Sequence, residues 1–129
     1  MPHLAFLIAL TTALFALDAT AASADSLSGS WSGSGSVHYA DTREKARCRA
    51  DYSRVSGTLY RMTASCATPS GRVDQTATVN RVGDNEYAGS FQNSQYNVTG
   101  SIYIKLRGNS QSVHLRGNGS SGSFQLRRR

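Results

Sequence analysis

From Gly29 to the end of the chain, apolar or small residues recur at every second position, with serine, threonine or charged residues between them. Trp31, Gly33, Gly35, Val37 and Tyr39 share one parity, and Ser30, Ser32, Ser34, Ser36 and His38 share the other. A period of two places successive side chains on opposite faces of a strand, so one face is dry and the other wet. No stretch sustains the 3.6-residue spacing of an amphipathic helix. Turn-forming clusters of Gly, Asn, Asp and Ser interrupt the alternation at short, regular intervals, as in a sandwich or an up-and-down barrel.

The pattern predicts about eight strands. The first spans 29–39, the second 45–54 with Ala46, Cys48, Ala50 and Tyr52 inward, and the third 59–67 with Tyr60, Met62, Ala64 and Cys66 inward. The inward sets of the remaining five begin with Val73, Tyr87, Tyr96, Val113 and Gly122. Residues directly opposed in an antiparallel pair face the same side, which tests each turn. A turn at Gly57 sets Cys48 across from Cys66, within reach of a disulfide. Thr68-Pro69-Ser70-Gly71 sets Val73 across from Cys66, and Asn118-Gly119, a strong hairpin signal, sets Phe124 across from Val113. A loop at 40–45 would set Val37 opposite Cys48 and Gly33 opposite Tyr52. A turn at Asn109-Ser110 would set His114 opposite Lys105 and Tyr103 opposite Arg116. Parity survives every turn, which predicts an all-β antiparallel meander of about eight strands closing into a small barrel with one disulfide. An open sheet or a flattened sandwich is the alternative.

The chain before Gly29 is of another kind. Leu4 to Leu17 is an apolar run of 14 residues, too short to span a bilayer comfortably, and Ala22-Ser23-Ala24 supplies small residues at the positions a signal peptidase reads. Residues 1–24 are expected to be a signal peptide cleaved before Asp25, and 25–129 a single domain in the periplasm or secreted. Cys48 and Cys66 are the only two cysteines, and an even pair in an exported chain reads as a disulfide. Cleavage removes Asp18 alone among the Asp, Glu, Lys and Arg residues, raising the formal charge from +6 to +7.

Twelve of the 14 basic residues are arginines. Lys45, Arg47, Arg49, Arg61, Lys105, Arg107 and Arg116 fall on outward positions and form a candidate anion-binding surface. Its partner would be an anionic envelope component or a protein, nucleic acid being rare outside the cell. The inward aromatic and sulfur set, Trp31, Tyr39, Tyr52, Tyr60, Met62, Tyr87 and Phe91, lies among glycines and alanines. Those small neighbours either let the rings fill the interior or leave a pocket for a small ligand. No serine sits in a nucleophile elbow, no His, Cys, Asp and Glu share ligand spacing, and the carboxylates lie in turns or beside arginines. The expectation is a non-enzymatic binding protein without metal or cofactor. An inhibitor of a hydrolase, acting through loops 40–45 and 81–85, and an envelope-associated structural protein are the alternatives.

The runs Leu27-Ser28-Gly29-Ser30-Trp31-Ser32-Gly33-Ser34-Gly35, Arg43-Glu44-Lys45-Ala46-Arg47-Cys48-Arg49-Ala50 and Ser65-Cys66-Ala67-Thr68 resemble small exported proteins of alphaproteobacteria. That resemblance implies an envelope setting and no activity. Gly29-Ser30-Trp31 at the start of a meander is also similar to lipocalin and avidin-like barrels, and to small periplasmic protease inhibitors with one disulfide. The later lipocalin motifs are absent.

Overall fold

A computed structural model describes residues 11–13 and 26–129; the proposed signal peptide and its cleavage site lie outside the described residues apart from that short piece. Eight antiparallel strands follow in order: β1 (Gly29–Tyr39), β2 (Thr42–Ser56), β3 (Leu59–Thr68), β4 (Gly71–Gly83), β5 (Glu86–Asn93), β6 (Val98–Arg107), β7 (Ser110–Gly117) and β8 (Ser120–Arg128). Each pairs with the next, and β8 pairs back onto β1 from Trp31–Arg128 to His38–Ser121, closing the barrel.

The parity reading holds around the whole ring. Trp31, Tyr52, Met62, Val79, Tyr87, Ile104, Val113 and Phe124 all point into one dry interior and are buried. Cys48 lies opposite Cys66 and the two are bonded, both inside the wall. The bond closes a short loop between neighbouring strands and contributes on the order of 3 kcal/mol.

Two registers differ from the sequence reading by an even number, so the residues of those strands keep their faces. The β1–β2 connection is the two-residue turn Ala40-Asp41, and Gly33 faces Cys48 while Val37 faces Glu44. Both turn residues have positive φ, 46° and 60°. Nothing in Ala-Asp advertises that conformation as Asn-Gly does, so the turn reads from sequence as a longer loop. The β6–β7 turn is Gly108-Asn109, with Gly108 at φ 57°, so His114 faces Tyr103 and Arg116 faces Ser101. Tyr96 is not in a strand. Residues 94–97 form the β5–β6 turn, held by Asn93 Oδ1, which accepts the Tyr96 N–H at 3.2 Å.

Closing eight strands tightly requires corners, and glycine makes them. A Cβ on Gly33 would lie 2.0 Å from the Gln125 carbonyl oxygen, and one on Gly35 would lie 2.0 Å from that of Ser123. The β8 backbone passes directly over these two positions.

The barrel is built differently at its two ends. At the end holding turns 57–58, 84–85 and 108–109, the segment 26–28 crosses the opening and Leu27 is fully buried. The Trp31 indole N–H donates to the Leu27 carbonyl at 3.0 Å. Arg128 stacks 4.3 Å above the Trp31 ring and donates to the carbonyls of Ser28 and Ser26 at 2.8 and 2.7 Å. This end is sealed.

Gly35→Ala should destabilise the fold by about 3 kcal/mol in urea unfolding, since β8 backbone must move to admit one methyl. Its neighbour Ser34→Ala, on the outer face, should change stability by less than about 0.5 kcal/mol. Equal effects at both positions would contradict the corner.

Candidate functional site

The opposite end carries turns 40–41, 69–70, 94–97 and 118–119 and is open. Below them lies a cup of about 170 Å³. Its wall is apolar, formed by Val37 of β1, Val73 of β4, Phe91 of β5, Val98 of β6 and Leu115 of β7. Glycines set how closely the strands and rings pack around it. Gly100 and Gly117 let β6 and β7 approach closely, and Gly122 contributes no side chain beside Phe124. The rim is polar: Tyr39, Glu44, Thr68, Ser70, Gln75 and Asn93.

Among the rim and wall residues, Glu44 is the one carboxylate. It points to the interior side of β2, between the outward Arg43 and Lys45. The Ser70 hydroxyl donates to its Oε1, and hydrogen bonds from Tyr39 and Thr68 add to this. These bonds, Ser70 first, hold its pKa below the ordinary glutamate range against a smaller opposing effect of desolvation. The rim therefore stays negative at neutral pH even though the chain as a whole is basic.

One side of the cup wall is held by a side chain rather than by a strand ladder. The β4–β5 pairing begins at Thr76–Gln92, leaving the start of β4 without that neighbour. Gln95, from turn 94–97, takes its place: its Oε1 accepts the Asp74 N–H at 2.7 Å and its amide donates to the Arg72 carbonyl at 3.4 Å.

The structure divides the aromatic set that the sequence marked for an interior pocket. Tyr39 and Phe91 line the cup. Trp31, Tyr52, Tyr60, Met62 and Tyr87 are buried in the core and are absent from the cup wall. Tyr60 and Tyr87 pack edge to face at 5.5 Å, and the Tyr52 hydroxyl donates to Gln111 Oε1 at 2.8 Å. Burial pushes the Tyr52 phenol well above its usual range, so it remains a neutral donor. Rings large enough to line a pocket fill the sealed half instead. Valines, Phe91 and Leu115 line the cup, and Glu44, Asn93 and the valines were not singled out by composition.

The structure does not gather the seven candidate anion-binding residues on one face: Lys45, Arg47 and Arg49 form a row on β2, Lys105 and Arg107 lie on β6, four strands away on the opposite side of the closed barrel, and Arg116 lies on β7. Arg61 stands apart on β3, between Ser53 and Thr78. Among the described residues no group of three or more His, Cys, Asp or Glu could hold a metal ion. No helix among them is long and apolar enough to cross a membrane. The outer wall is lined by serine, threonine and charged residues, the inverse of the apolar band on a membrane barrel.

No family model matches the chain, and no curated protein matches it. Among solved structures it is similar to a redesigned β-barrel, mFAP1, described as bound to DFHBI, with a TM-score of 0.69 and 14% identity over 81% of this chain and 97% of that one. A de novo designed fluorescence-activating β-barrel superimposes with a TM-score of 0.64 and 17% identity over 82% of this chain and 96% of that one. At such identities the likeness is one of fold.

The Glu44 carboxyl should titrate below ordinary glutamate in an NMR pH series, and Ser70→Ala should move it back up. Because the folded pKa is lowered, the stabilisation from these bonds is present above the ordinary value and is lost as pH falls through the lowered one. An ordinary midpoint unaffected by Ser70→Ala would contradict the rim geometry.

Proposed function

We propose that the protein is an exported, non-enzymatic carrier that takes the apolar end of a small molecule into the open cup and leaves a polar head at the rim. The periplasmic or secreted setting follows from the signal-like N-terminus and from the resemblance to exported alphaproteobacterial proteins. The disulfide fits such a compartment.

The observation that carries the reading is the asymmetry of the interior. One end is sealed by Leu27, Trp31 and Arg128, and the other holds an apolar recess with a polar, negatively charged rim. Its volume sets the ligand. A recess of about 170 Å³ admits one aromatic ring or a short branched chain, comparable to an engineered cavity of roughly 150 Å³ that takes up benzene. Glu44 sets the head group: a hydrogen-bond donor or a cation is favoured, and an anion is disfavoured. The redesigned barrels of similar fold described as bound to DFHBI support a barrel of this size as a small-molecule binder.

The inhibitor reading loses its expected tools. The loops at 40–45 and 81–85 reduce to the two-residue turns Ala40-Asp41 and Asp84-Asn85, which offer nothing to insert into an enzyme cleft.

Benzylamine, benzyl alcohol and benzoate present one ring with three heads. In NMR titrations the first two should shift the methyl signals of Val73, Val98 and Leu115, with benzoate binding about tenfold more weakly. Val98→Trp should fill the cup and abolish all three responses without unfolding the barrel. No methyl response to any probe, or a preference for benzoate, would contradict the proposal.

A further inference from the structure

Barrel closure creates a second feature on the outside, independent of the cup. The outward positions of β1 include Ser32, Ser34 and Ser36, and each stands in a cross-strand row between β2 and β8. On the β2 side these rows end in Arg49, Arg47 and Lys45, with Arg43 continuing the series beside His38. At the other end the series stops at Asp51, which accepts the Ser30 hydroxyl. On the β8 side Ser32 faces Arg127, Ser34 faces Gln125, and Ser36 faces Ser123. Arg116 of β7 stands opposite Ser121, one strand beyond His38.

A basic rail of Arg43, Lys45, Arg47 and Arg49 therefore runs along β2 beside a floor of serines, with Arg127 of β8 and Arg116 of β7 as single cations on its far side. The β2 rail places a charge every second residue, roughly 6.8 Å apart, and lies about 14 Å from β7 across three strand spacings. Floor side chains are short and rail side chains are long, so a convex wall acquires a trough. No outward position of β1, β7 or β8 carries a carboxylate. Arg43, Lys45, Arg47 and Arg49 form no ion pair among the described residues, whereas Arg72 and Arg81 on β4 are paired with Asp74 and Asp84. The four β2 cations therefore keep their charge free of a salt bridge among the described residues, as do Arg61 and Arg107 elsewhere on the wall.

We propose that this trough binds a linear anionic polysaccharide. Regularly spaced guanidinium and ammonium groups match a polymer with regularly spaced sulfate, carboxylate or phosphate groups, and floor hydroxyls offer donors and acceptors to sugar hydroxyls. The serine floor beside Lys45, Arg47 and Arg49 carries no Phe, Tyr or Trp ring, so it gives nucleic acid bases little to stack on. It carries no large apolar side chain, so it has no means of entering a bilayer.

The test uses heparin as the probe, with a single-stranded oligothymidine of equal charge and phosphatidylglycerol-containing vesicles as competitors for the assignment. Heparin should bind most tightly, with log Kd linear in log salt. Arg47→Ser with Arg49→Ser should weaken it about tenfold and reduce the salt slope by about two. Arg61→Ser with Arg81→Ser removes the same charge from β3 and β4 and should change binding less than about twofold. Ser34→Asp, which sets one carboxylate on the floor beside Arg47, should weaken binding more than either single arginine substitution. Equal losses from the two arginine pairs would show attraction to net charge alone and overturn the trough. Tighter binding of the oligonucleotide or the vesicles, or no heparin binding at low salt, would overturn the polysaccharide assignment.

Discussion

The pairing of β8 with β1 is the contact on which the rest depends. Without it the sheet keeps two exposed edges, the interior is open along one side, and neither the cup nor the trough exists. The pairing in turn needs a chain that can bend sharply. Gly33 and Gly35 sit where the β8 backbone crosses the inner face of β1, at a distance that no β-carbon tolerates. The same two positions carry the cost of closure. A first strand with two interior glycines has weak intrinsic preference for extended structure, and the tertiary contacts must hold it there.

Closure alone would give a tube. The N-terminal segment turns it into a cup by sealing one end, and a single arginine coordinates the seal. Arg128 touches the Trp31 ring and two carbonyls of the crossing segment, and Trp31 binds a third through its indole nitrogen. Large rings then fill the sealed half, where Tyr52 and Gln111 share one hydrogen bond. Free space collects at the far end. The charge distribution follows the same division of faces. On β2, Arg43, Lys45, Arg47 and Arg49 occupy outward positions while Glu44 faces the interior, so one strand presents cations to solvent and an anion to the cup rim. The two proposed ligands would then share a single thin wall.

Strand number, facing and the disulfide were legible because a period of two survives any even error in register. The β1–β2 pairing is displaced by four residues from the sequence reading, yet Trp31, Cys48 and Tyr52 still point inward. What alternation does not encode is depth along the barrel. Trp31 and Phe91 have the same facing, but one lies under the seal and the other lines the cup, and only the true turn lengths tell them apart. The outer trough was half visible. The β2 arginines stood out as a series, but the serine floor and Arg127 acquire meaning only once the last strand lies beside the first. The Ala40-Asp41 turn was hidden for a local reason, since Ala at positive φ is uncommon and the pair lacks the glycine that usually marks such a turn.

The most direct measurement is the set of cross-strand nuclear Overhauser effects between β1 and β8, read together with amide exchange in both strands. The account predicts contacts between Gly35 and Phe124 and between Gly33 and Leu126, with amides of β1 and β8 protected as strongly as those of β3 and β4. Absent contacts and fast exchange along both terminal strands would show an open sheet, and both binding surfaces would fall with the barrel.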